Sequence, residues 1–144
     1  PEQMTVQYEN GARDAETLLF DHNSAELVIV SKREDSVMVF PFQFVSRTQK
    51  TLQPTATLPL TQLTAGDINQ SGDLLLKNYE EIYFIENENS LTVKDLLINP
   101  IIKKVVYQPE KQGEALSWDQ KGEGFYVLSE WNDNEAQPLI YYHD

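Results

Sequence analysis

Cysteine is absent from the 144 residues, which removes disulfides, thiolate metal sites and a cysteine nucleophile from consideration. Histidine is nearly absent too. His22 and His143 are the two present, and neither has a serine and an acid near it in a pattern that reads as a triad. The six glycines are scattered among turns rather than gathered into a phosphate-cradling loop. Long apolar runs are missing: Leu27 to Val30 and Val37 to Phe40 are far too short to cross a bilayer, and the first residues carry no signal-peptide core. The chain begins at Pro1 rather than Met, which is compatible with removal of an initiator or leader. The expected compartment therefore stays open between the cytoplasm and export. Basic side chains are few, 11 against 23 acidic, for a formal charge of -12. Such a surface repels phosphate backbones and anionic headgroups, so neither nucleic acid nor membrane is an expected partner.

What is present is the composition of a folded protein: 40% hydrophobic residues, with seven Tyr, six Phe and two Trp. The length suits one structural unit with its own core. Within it a pattern occurs three times. Asp14 to Lys32 reads DAETLLFDHNSAELVIVSK, Gly66 to Lys77 reads GDINQSGDLLLK, and Gly113 to Glu130 reads GEALSWDQKGEGFYVLSE. Each has an acidic residue, a short strand, a polar turn and an apolar strand. With Glu16, Asp67 and Glu114 as anchors the spacings are 51 and 47 residues, and joining the ends would give 46. These are the lengths of propeller blades, roughly 40 to 50 residues each.

Short runs of β-branched and aromatic residues between polar turns predict four strands per blade. In the first blade, about residues 14–63, they fall near 15–20, 26–32, 36–41 and 56–60. In the second, about 64–112, they fall near 66–69, 73–78, 81–86 and 103–107. The third, about 113–144, offers 114–118, 124–130 and 138–142 and is one strand short. Met4 to Tyr8 (MTVQY) precedes the first repeat much as Lys103 to Tyr107 (KKVVY) precedes the third, so an N-terminal strand over 3–8 is expected to complete the third blade. Ser90 to Asn99 departs from the strand pattern and reads as a helical turn with a serine cap.

The expected fold is therefore all-β, three four-stranded antiparallel blades. Propellers typically have four to eight blades, so three leave both ends of an arc open. Two copies about a two-fold axis would make a six-bladed ring, with each N-terminal strand closing the other copy's last blade. A closed single-chain sandwich and a piece of a longer propeller are the alternatives.

The stretches GDINQSGDLLL and LSWDQKGEGFYVLSE carry a resemblance: nearly the whole chain resembles, blade by blade, the six-bladed TolB-like and gluconolactonase-like (SMP-30) propellers. That superfamily includes enzymes, ligand sensors and scaffolds, so the resemblance implies a fold more than a function. A lactonase of this kind would imply a divalent cation, such as calcium, held by carboxylate and amide ligands in the central channel. Here Glu16, Asp67 and Glu114 match by repeat position, and the amide ligands are unassigned.

The same three acids stand at the start of each blade's first strand, where a propeller lines its channel. Converging carboxylates raise one another's pKa values unless cations or basic side chains hold them ionised. Lys32 and Lys77 recur near the end of the second strand, where the third blade has Glu130. Two readings follow, a ring of structural salt bridges and a rim site for a cation, small molecule or protein partner. The turns Asp21 to Glu26, Asn69 to Asp73 and Asp119 to Glu123 lack the ligand order of a calcium loop and read as hairpin turns. Trp118 and Tyr126 are expected in the core, and Trp131 on the surface. The leading expectation is a non-enzymatic binding or scaffold module, homodimeric, with a cation-dependent hydrolase as the second.

Overall fold

A computed structural model describes residues 1–130 and 136–143. Thirteen strands and one short helix run along the described residues in the order β1 (Thr5–Tyr8), β2 (Thr17–Asp21), β3 (Glu26–Val30), β4 (Val37–Phe42), β5 (Gln49–Leu52), β6 (Ala56–Leu58), β7 (Ala65–Ile68), β8 (Leu74–Lys77), β9 (Ile82–Ile85), α1 (Val93–Leu96), β10 (Ile102–Val105), β11 (Gly113–Trp118), β12 (Gly124–Ser129) and β13 (Leu139–His143). They form three antiparallel sheets ordered β2-β3-β4-β6, β7-β8-β9-β10 and β11-β12-β13, and a parallel pair, β1-β5. No helix among the described residues is long and apolar enough to cross a membrane.

The three sheets approach one another most closely along their first strands, β2, β7 and β11, and β7 lies between the other two. The approach is tight enough that a Cβ on Gly66 would stand 2.9 Å from both the Leu76 side chain and Thr17 Cγ2. Sheet packs on sheet across two cores. Leu19, Val28 and Val30 of the first sheet meet Leu74, Leu76 and Ile85 of the second. The other face of the second sheet, with Leu75 and Ile82, meets Phe125 and Val127 of the third. Burial on both faces explains why β8 is apolar without alternation and buried at every position, whereas β12 alternates and exposes Tyr126 and Leu128.

Every strand expected from the sequence is present, with ends within two residues of those expected. Two features differ. Gln49–Leu52 forms a strand that the pattern did not suggest, because a single buried residue, Leu52, marks it. It pairs with β1, from Thr5↔Gln49 to Tyr8↔Leu52, and Met4, Val6 and Tyr8 pack with Leu52 against Phe40 and Phe42 of the first sheet. The N-terminal strand thus lies on the first sheet of its own chain and does not join β13 there. The helical turn is α1, but its cap is Thr92, whose hydroxyl takes the Asp95 N–H, rather than Ser90.

The three acidic turns are built as hairpin turns. Asp21 accepts from the Asn23 N–H and the Ser24 hydroxyl, Asn69 from the Ser71 and Asp73 N–H groups, and Asp119 from those of Lys121 and Glu123. Each short side chain closes its own turn through local backbone N–H groups. Trp118 packs edge-on to Phe84, ring centroids 6.2 Å apart, in the core expected for it, whereas Tyr126 is exposed. Trp131 lies outside the described residues.

Candidate functional site

At one end of the three first strands a chain of polar side chains crosses all three sheets. Lys32, just past β3, is buried, and its ammonium donates to Glu16 Oε2 at 2.8 Å and to the Tyr79 hydroxyl at 2.9 Å. Tyr79, in the turn between β8 and β9, passes the link to the third sheet by donating to Glu114 Oε1 at 2.8 Å. Glu130 stands beside Glu114, near enough for the two carboxyls to perturb each other.

The charges follow from these contacts. The Tyr79 hydrogen bond, working against partial desolvation, holds Glu114 below the ordinary carboxylate range, while Glu130 is pushed above it by its bond to Glu114 and by that residue's negative charge. Glu130 is therefore the more readily protonated of the two. Burial disfavours charge on Lys32, but the hydrogen bonds to Glu16 and Tyr79 outweigh it and raise its pKa. The lysine is enclosed while Glu130 is exposed and Glu16 partly so. The surface offered to solvent is therefore carboxylate.

Lys77 occupies in the second sheet the position of Lys32 in the first. Fully buried, it donates to the Asn78 carbonyl at 3.0 Å and the Tyr107 hydroxyl at 3.2 Å, with Glu110 Oε1 at 3.3 Å. Its burial outweighs the nearby acids and lowers its pKa. In the third sheet the same position is Glu130.

Of the residues expected to form a site, Glu16, Lys32, Glu114 and Glu130 come together, Lys77 lies behind them on Glu110, and Asp67 stands apart. Asp67 accepts from the Ser117 hydroxyl at 3.0 Å and the Trp118 N–H at 2.8 Å, four residues along β11 from Glu114, or ~13 Å at ~3.3 Å per residue. The cause is register. Lys77 faces Ala65, and the β2-β3 pairing brings Lys32 opposite Ala15, so the counterpart of Glu16 is Gly66, not Asp67. A shift of one residue sends a strand side chain to the other face. Glu114 is a special case: the ladder slips between Gly113 and Ala115, and the unpaired residue of such a bulge is re-aimed.

Tyr79, Tyr107 and Glu110 were not expected. Tyr79 carried a faint signal, a large aromatic two residues after a lysine inside a tight polar turn. Among the described residues no group of three His, Asp or Glu is arranged to hold a metal ion. A groove of about 320 Å³ beside α1, bordered by Leu91, Ile98 and Ile101, is separate from this network. The sequence matches no protein-family model and no curated protein.

Proposed function

We propose that this chain is a non-enzymatic binding module: three blades of a six-bladed propeller of the TolB-like and gluconolactonase-like kind, completed by a second copy. Its ligand site is the rim formed by Glu16, Lys32, Tyr79, Glu114 and Glu130. The observation that carries the reading is the buried Lys32 ammonium, held by Glu16 and linked through the Tyr79 hydroxyl to Glu114, a chain that leaves carboxylates at its exposed end. Carboxylates gathered at that exposed end repel one another, so a further positive group is favoured there. An ammonium or guanidinium on a ligand can donate to both carboxylates, Glu114 and Glu130.

The test is a thermal-shift titration with alkylammonium and guanidinium compounds. The parent should gain stability, because a ligand that binds only the native state raises its melting temperature. Glu130→Gln and Glu114→Gln should each abolish the gain. No response to any cation would overturn the site. A response to calcium alone, lost in Glu114→Gln, would instead favour the cation-dependent hydrolase.

A further inference from the structure

Two sheet faces are covered by a neighbouring sheet on one side of the molecule and bare in the corresponding place on the other. On the face each sheet turns toward the next, Val28 and Val30 of the first and Leu75 of the second are buried. Tyr126 and Leu128 hold this place in the third sheet and are 38% and 40% exposed; Leu139 and Tyr141, paired across from them on β13, are 65% and 41% exposed. On the opposite face, Leu116 and Trp118 of β11 pack into the core with the second sheet. Their counterparts on β2, Leu18 and Phe20, are 59% and 45% exposed.

Strand count shows the same mismatch. Among the described residues the third sheet has three strands where the others have four, and no strand of the chain pairs along the far edge of β13. β1 is its complement. Val105 and Tyr107, from the fourth strand of the second sheet and just beyond, pack onto the third sheet, with Tyr107 edge-on to Tyr142 at 6.0 Å. Val6 and Tyr8 pack in the same manner onto the first sheet, with Tyr8 4.8 Å from Phe40. β1 therefore sits where the fourth strand of a preceding blade would sit, with the rest of that blade missing. Its bonds to the β5 segment run through Gln3, Thr5 and Glu9, so the alternation of a parallel ladder turns the N–H and C=O of Val6 and Tyr8 to the opposite edge.

We infer that the missing blade is the third sheet of a second copy: β1 of one chain adds antiparallel to β13 of the other. Tyr126, Leu128, Leu139 and Tyr141 of that copy then seat on Leu18 and Phe20. The inference rests on the two-copy ring proposed above and names its joint. The antiparallel sense follows the third and fourth strands of the two complete sheets. Two such joints, related by the two-fold axis, satisfy both open edges at once.

Because the chain has no cysteine, introduced thiols report the joint without background. Thr5→Cys and Gln7→Cys would each be combined with Ile140→Cys and with Tyr142→Cys, positions on one face of the completed sheet. At least one pair should give a covalent dimer on a non-reducing gel. Sedimentation of the parent and of Leu139→Glu, with circular dichroism as a check of folding, tests the ring separately. The parent should sediment as a dimer and the folded variant as a monomer. A parent dimer that Leu139→Glu dissociates, with no cross-link from any pair, overturns the strand joint and leaves the ring. A monomeric parent, or a dimer indifferent to Leu139→Glu, overturns both.

Discussion

Ala25, Gly72 and Gly122 each give their hairpin turn a left-handed residue, with φ of 55°, 88° and 72°. The left-handed region costs a residue with a Cβ ~1–2 kcal/mol, partly offset because glycine loses ~0.5–1 kcal/mol more in entropy on folding. Ala25→Gly should therefore stabilise the chain by up to ~1 kcal/mol, a rise of a few degrees in melting temperature. A fall would mean that the turn is held by something other than its backbone. The Glu114 and Glu130 pair makes a second prediction, on pH. The raised Glu130 contributes stability below its unfolded pKa, and this is lost as pH rises through the folded value; the lowered Glu114 contributes above its unfolded value, and this is lost as pH falls through the folded one. Glu130→Gln keeps a donor at every pH and removes the like charge. It should melt higher than the parent at about pH 7 and alike at about pH 4, where Glu130 is protonated. Equal melting at both would mean that the two carboxyls do not interact.

Elements are held to one another by few but specific contacts, and these are where substitutions should act most strongly. Asp21 is buried and ties its own turn to α1, accepting from the Val93 N–H at 3.0 Å as well as from Asn23 and Ser24. Burial opposes its charge, yet the Ser24, Val93 and Asn23 bonds prevail and lower its pKa. Its stabilisation is present above the unfolded pKa and lost as pH falls through the folded one. Asp21→Asn should cost ~1–3 kcal/mol at neutral pH, read by urea unfolding, and flatten the acid limb of the stability curve. Gly66→Ala should cost a similar ~1–3 kcal/mol, because β2 and β7 leave no room for a methyl group. The strands were legible because apolar runs alternate with Asp, Asn and Gly turns, and even the three-strand count of the last sheet could be read. β5 was not, since Gln49, Lys50 and Thr51 are exposed and an edge strand with one buried residue leaves no period. Repeat position correctly suggested that Lys32, Glu16 and Glu114 lie near one another but not that Asp67 lies apart, because similar sequence concealed a one-residue difference in register. Tyr79 was hidden because it joins sheets from a turn, and no local spacing encodes a contact across 35 residues to Glu114.

At the scale of the whole molecule the account predicts association and its salt dependence. Two copies each carrying a formal -12 would repel, while the proposed joint is made of apolar faces and backbone edges. Added salt screens the repulsion, with a Debye length of ~10 Å at ~0.1 M, and leaves the apolar contact in place. The dimer should therefore tighten as salt rises, the opposite of an interface made of salt bridges. The central claim is that this chain is half of a ring, and light scattering on the purified protein over a range of concentrations tests it most directly. The account predicts a stable mass of twice the 16.6 kDa monomer, better populated at higher salt. A mass that stays at one copy under every condition would contradict it.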